Sequence, residues 1–137
     1  FRSGSGRQRN ALGVLFARYG VYEKALEEFQ AAASAGYTRS HINIGNIAFL
    51  MREYETALAW YKKVEKEYPA NPIVLISLAR TYYELDRFDE ADRYFELATE
   101  RRPELAERYS YLVARVTGTV ARASAAMERL GDMMWEE

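Results

Sequence analysis

The sequence lacks the residues that most enzymes and metal proteins use. It contains no cysteine, which excludes disulfide bonds, thiol catalysis and cysteine metal sites. Its single histidine, His41, excludes a cluster of histidine ligands, and no phosphate loop or nucleophile–base pair is recognisable. No apolar run reaches the roughly 18 residues that a membrane span needs. We therefore expect no catalytic residues, no metal and no cofactor, and a soluble protein of either cytoplasmic or periplasmic location.

The chain also has no large excess of positive or negative charge. Lysine and arginine total 19 against 20 for aspartate and glutamate, so the net charge is −1. Such a balance gives the chain as a whole no attraction to nucleic acid or to an anionic membrane. We expect protein or peptide partners and no nucleic acid.

What the sequence does contain is one pattern repeated three times. An aromatic residue precedes an acid, an alanine follows two residues later, and a second aromatic lies four residues beyond the alanine. The alanines are Ala25, Ala57 and Ala91, spaced by 32 and then 34 residues. A period of this length is typical of a solenoid, in which each unit packs on its neighbours and the surface forms an extended platform.

Apolar residues at three- and four-residue spacing predict two helices in each unit. In the first helix this spacing selects Leu12, Leu15, Phe16 and Tyr19 as the packing face. The small residues Gly13, Gly45 and Ala79 are expected where paired helices touch, opposite the three repeated alanines. The aromatics four residues after those alanines are expected to fill space toward the next unit: Phe29, Tyr61 and Phe95.

Three other residues mark helix boundaries. Asn71 followed by Pro72 predicts a capped helix start, and Pro103 predicts another. Pro69 predicts the end of the preceding helix.

Together these residues resemble the tetratricopeptide repeat. The motif positions are filled by Leu12-Gly13, Phe16, Ala25, Phe29 and Ala32, then by Ile44-Gly45, Ala57, Tyr61, Val64 and Pro69, then by Leu75, Leu78-Ala79, Tyr82, Ala91, Phe95, Ala98 and Pro103. The resemblance implies an all-α fold, a right-handed superhelical α-solenoid of antiparallel helix pairs. We expect a flexible linker over residues 1–6 and a single domain over 7–137. Its repeats are expected at about 6–37, 38–71 and 72–105, followed by capping helices over 106–137.

In the resembled family the first helix of each pair lines a concave groove that holds a peptide. The matching positions here are Arg7, Asn10, Arg18, Arg39, Ile42, Asn43, Asn46, Phe49, Ile76, Arg80 and Tyr83. Asparagine can bond both the N–H and the C=O of an extended chain, and arginine can hold carboxylates. The set predicts a mildly basic groove for an acidic or C-terminal peptide with apolar side chains. For any single residue of the set, ordinary solvated surface is the alternative.

Two finer expectations follow from the same positions. The carboxylate clamp of chaperone-binding adaptors matches at Asn43 alone, so the resemblance does not extend to that clamp. We expect Arg39→Glu and Arg80→Glu to abolish binding without unfolding the chain.

Self-assembly is the alternative function. An apolar stripe runs from Val120 to Trp135 at three- and four-residue spacing, and two glutamates follow it. The stripe would either cap the last repeat or join two copies through Met127, Leu130, Met134 and Trp135, giving a homo-oligomer.

Overall fold

The structure, a computed structural model, describes residues 3–114 and 133–137. Within these ranges the chain is helical, and helices that follow one another in sequence pack together: α1 with α2, α2 with α3, α5 with α6 and α6 with α7. The all-α solenoid of sequential helix pairs predicted from the sequence is confirmed. The helices are α1 Ser3–Arg18, α2 Tyr22–Ser34, α3 Ser40–Leu50, α4 Tyr54–Glu67, α5 Pro72–Glu84, α6 Phe88–Arg101, α7 Pro103–Glu107 and α8 Tyr111–Ala114.

The chain separates into two compact units. Unit 1 comprises residues 1–64 together with 135–137, and unit 2 comprises residues 65–134. None of the helices in the described ranges is long and apolar enough to cross a membrane.

Close helix contacts at two glycines organise unit 1. A Cβ placed on Gly13 would lie 2.5 Å from Cε1 of Phe29, and one placed on Gly45 would lie 2.7 Å from Cε1 of Tyr61. Both glycines lie where paired helices touch, as the sequence predicts. Each ring lies against the glycine of its own pair, and Phe29 also belongs to a buried cluster with Ile44 and Ile47 of α3, toward the next unit as the sequence predicts.

The apolar face predicted for α1 is also wrong. Leu12, Leu15 and Tyr19 are exposed, at 41%, 51% and 78%. The buried side of α1 instead carries small and polar residues: Gly6, Asn10, Gly13, Val14 and Ala17. The side chains on this side are small because α2 approaches closely at Gly13. The large apolar side chains of Leu12, Leu15 and Tyr19 therefore lie on the exposed side of the helix.

Helix α1 begins inside the predicted linker. Residues 3–6 are helical, and a Cβ on Gly6 would lie 3.0 Å from Cβ of Tyr37 and 3.3 Å from the carbonyl oxygen of Ala32. Gly6 therefore serves a close contact with the end of α2, although the glycine–serine composition is typical of a linker.

Unit 2 shows the predicted helix boundaries. Asn71 Oδ1 accepts the N–H of Ile73 at 2.9 Å and caps α5, whose first residue is Pro72. Helix α4 ends before Pro69, and α7 begins at Pro103. Of the capping helices predicted over 106–137, the structure shows the last two residues of α7 and all of α8, and both helices contact α6. Residues 115–132 lie outside the described residues, and residues 133–137 are not helical, contrary to the prediction.

The glycine contacts give a stability prediction. We expect Gly45→Ala to lower the free energy of unfolding by about 1–3 kcal/mol, because the added methyl group displaces the Tyr61 ring. Helix propensity alone would act in the opposite direction by about 1 kcal/mol. Urea unfolding of Gly45→Ala, alone and combined with Tyr61→Leu, measures both effects. The loss should shrink when Tyr61 is shortened, and a stabilised Gly45→Ala variant would contradict the packing account.

Candidate peptide-binding groove

Three consecutive residues, Trp135, Glu136 and Glu137, lie on unit 1 as an extended ligand would. We call them the Trp-Glu-Glu segment. Their contacts come from α1, from α2, from the loop between α2 and α3, and from the start of α3. We call the side chains that make these contacts the groove: Asn10, Arg18, Phe29, Tyr37, Arg39 and Asn43.

The backbone of Glu136 is held by two asparagines. Its N–H donates to Oδ1 of Asn43 at 2.8 Å, and its carbonyl oxygen accepts from Nδ2 of Asn43 at 2.8 Å. Nδ2 of Asn10 donates to the same carbonyl oxygen at 2.9 Å. Asn43 thus bonds both polar groups of one peptide residue, the geometry that suits an extended chain whatever its side chain.

The two asparagines also orient each other. Nδ2 of Asn43 donates to Oδ1 of Asn10 at 2.8 Å, and both side chains are fully buried. Asn43 therefore uses both of its amide hydrogens and its oxygen, while Asn10 uses one hydrogen and its oxygen. Because every bond has a single possible direction, this network fixes the orientation of both amides.

An aromatic contact holds the residue before Glu136. The Trp135 ring stacks on Phe29 with centroids 6.0 Å apart and an interplanar angle of 22°. Phe29 is fully buried and belongs to the apolar core of unit 1, against which Trp135 packs. Stacked rings at such separations add about 0.5–1.5 kcal/mol to the burial of apolar area.

Positive charge surrounds the two acids. Nε of Arg39 lies 3.8 Å from Oε2 of Glu136, whose side chain is only 12% exposed. Arg18 pairs with Glu137 in a contact where both side chains are more than half exposed, and the Tyr37 hydroxyl donates to the Glu137 carbonyl oxygen at 3.0 Å. Exposed ion pairs contribute little free energy, and each of these two pairs includes a half-exposed arginine.

The other groove residues predicted in unit 1 have different surroundings. Arg7 is exposed, while Ile42, Asn46 and Phe49 are buried. Asn46 accepts a hydrogen bond from the Tyr61 hydroxyl, and Phe49 packs edge-on against Tyr54 at 5.2 Å. These three residues of α3 therefore pack in the interior. Contacts to the segment come from Asn10, Arg18, Arg39 and Asn43.

The predicted residues of unit 2 are packed among aromatic rings. Ile76, Arg80 and Tyr83 are buried, and the Arg80 guanidinium lies 5.1 Å from the centre of the Tyr109 ring. Burial raises the pKa of Tyr111, and the nearby charge of Arg80 opposes that rise. Arg80 is 4% exposed, so Arg80→Glu would bury a carboxylate beside these rings and destabilise unit 2. The expectation that this substitution tests binding without unfolding is therefore wrong.

The residues predicted for self-association are only partly described. Met127 and Leu130 lie outside the described residues, and Met134 is half-buried. Trp135 packs on Phe29 within unit 1. Self-association through these four residues stays a prediction.

The described ranges contain no group of three His, Asp or Glu residues that could hold a metal ion. A cavity of about 190 Å³ between α2, α3 and α4 is lined mainly by apolar side chains, among them Ile44, Ile47 and Trp60. His41 packs against the Trp60 ring at 5.1 Å.

Comparison with known families agrees with the helix pairs. The family model described as tetratricopeptide repeat matches residues 48–116, half of the chain. The chain therefore belongs to the tetratricopeptide repeat family, whose repeats generally mediate protein–protein interactions and generally lack catalytic activity. A comparison with curated proteins finds no match.

Four contacting residues escaped the sequence analysis as parts of a site. The sequence predicts that Phe29 packs between units, and it assigns no role to Tyr37, Glu136 or Glu137. One signal was present in the sequence. Two acids that follow a tryptophan complement a groove predicted to be basic and partly apolar.

The asparagine network gives the second prediction. We expect Asn43→Asp, which keeps the shape of the side chain but removes both donors, to release the segment, because a carboxylate would face the Glu136 carbonyl oxygen and Oδ1 of Asn10. In a Trp60→Phe background the one remaining tryptophan is Trp135, and its fluorescence emission should shift to longer wavelength.

Asn71→Asp is the matched control for this experiment. Aspartate caps helices as well as asparagine does, and Asn71 caps α5 in unit 2, so Trp135 emission should stay unchanged. Identical spectra for Asn43→Asp and Asn71→Asp would contradict the assigned role of Asn43.

Proposed function

We propose that the chain is a non-catalytic protein-interaction module whose groove binds an extended acidic segment of a partner protein. The observation that carries this proposal is the double hydrogen bond between Asn43 and the backbone of Glu136. A side chain that bonds the N–H and C=O of one residue holds any extended peptide at that point. Recognition of a particular peptide then depends on the side chains on either side.

The neighbouring contacts define what such a peptide should contain. Phe29 offers an aromatic surface to the residue before the clamped position, where Trp135 lies. Arg39 lies beside the side chain of the clamped residue itself. We therefore propose that the preferred ligand has an aromatic residue followed by an acid, and that a second acid near Arg18 adds mainly to the rate of association.

The expected affinity is modest. Four hydrogen bonds to the peptide backbone, each worth about 0.5–1.5 kcal/mol net, and one ring contact of about 0.5–1.5 kcal/mol must offset the cost of ordering the peptide. A dissociation constant in the micromolar range, about −8 kcal/mol, fits this balance. Because the arginine contacts are half exposed, binding should weaken as salt rises.

A peptide titration tests the proposal. The ligand is a fluorescent peptide of sequence Asp-Met-Met-Trp-Glu-Glu, copied from residues 132–137. The receptor is the full chain carrying Trp135→Ala and Glu136→Pro, which we call the open variant, because these changes remove the stacking ring and the N–H that Asn43 accepts. We expect micromolar binding to the open variant and a loss of about tenfold or more on adding Asn43→Asp. Arg39→Glu should cause a smaller loss of about threefold, because the Arg39 contact is half exposed.

Lys24→Glu is the matched charge control. It makes the same change of two charge units at an exposed position of α2, away from the residues that contact the segment. We expect the dissociation constant of the open variant to change less than about twofold with Lys24→Glu, because a distant exposed charge is screened. Equal affinity with and without Asn43→Asp would contradict the proposed function.

A further inference from the structure

We infer that the Trp-Glu-Glu segment is an internal competitor: it occupies the groove of its own chain, and a partner peptide binds by displacing it. The inference rests on the proposed function and concerns the regulation of the same site. Its basis is that all three residues of the segment contact unit 1, through ring stacking, backbone hydrogen bonds and acid–arginine pairs.

The buried asparagines can bond a partner peptide in the same way as they bond Glu136. Asn10 and Asn43 are fully buried and direct their hydrogen bonds to each other and to Glu136. If the segment leaves, these groups lose their partners on Glu136, and water or another peptide must replace them. A partner peptide restores the same bonds because they involve backbone atoms. Exchange of the segment for a partner therefore replaces each of these hydrogen bonds by an equivalent one.

The contacts at the edge of the groove are weak, so a partner peptide can replace them. The side chains of Arg18 and Glu137 are 55% and 61% exposed. Arg39 is 52% exposed and lies 3.8 Å from the Glu136 carboxylate. Exposed pairs of this kind add little free energy and are screened by salt. The segment is thus held chiefly by its backbone and by Trp135, and a peptide with further apolar or acidic contacts can outcompete it.

The effective concentration of the segment at the groove is high. A ligand on the same chain competes at an effective concentration set by the connection between ligand and site, commonly of the order of millimolar. A free peptide of micromolar affinity then meets a groove that is mostly occupied. Its apparent dissociation constant rises by the reciprocal of the open fraction. Weak acidic peptides are excluded, while stronger ligands of the aromatic–acid–acid class are admitted.

The test compares the intact chain with the open variant, using the fluorescent Asp-Met-Met-Trp-Glu-Glu peptide on both. We expect the intact chain to bind at least about tenfold more weakly than the open variant. Asn43→Asp should remove binding in both chains. Thermal unfolding of both chains, with and without Asn43→Asp and followed by circular dichroism, checks that the open variant folds and that loss of binding is not loss of folding. If it does not, Glu137→Lys alone serves as a milder change, with a smaller gain in affinity expected.

The possible outcomes separate the two proposals. Equal affinities in the intact chain and the open variant overturn the competitor while leaving the groove as a binding site. No binding to a folded open variant overturns the proposed function itself.

Sedimentation equilibrium decides whose segment fills the groove. We expect the intact chain and the open variant to be monomers at every concentration. An intact chain that dimerises while the open variant stays monomeric would show exchange of segments between two copies, and that result overturns competition within one chain.

Discussion

The close approach of paired helices at Gly13 and Gly45 is the contact on which unit 1 depends. Each glycine leaves space for one aromatic ring, and any larger side chain would displace it. The ring beside Gly13 is Phe29, which also stacks on Trp135. The same helix packing that forms the core thus places the aromatic surface of the groove, so core and site cannot be altered independently at these positions.

Two buried asparagines hold the backbone of Glu136 against this packed surface. Buried amides are costly unless every donor and acceptor is paired. Asn10 and Asn43 meet this requirement partly through each other and partly through Glu136. Their pairing is therefore complete only when an extended segment lies on them. This links the stability of the groove to its occupancy, and it explains why backbone contacts form its centre while charges lie at its edge.

Spacing within one repeat predicts the helix pairs and the two glycine contacts. The resemblance to the repeat family selects Asn10 and Asn43, and both contact the backbone of Glu136. The sequence could not predict that Arg80 is buried against the Tyr109 ring, since Tyr109 lies in the turn between α7 and α8, beyond the repeat pattern. It also missed the ligand-like role of Glu136. The contact between Asn10 and Glu136 joins residues 126 apart, and no periodic pattern carries information over that distance.

The central claim is that Asn43 holds the backbone of Glu136, and amide hydrogen exchange tests it most directly. In the intact chain the N–H of Glu136 donates to Oδ1 of Asn43, so NMR should show it exchanging far more slowly than an unstructured peptide amide. Asn43→Ala removes the acceptor, and the exchange rate should then rise to that of a free peptide. Fast exchange of the Glu136 amide in the intact chain would contradict the account.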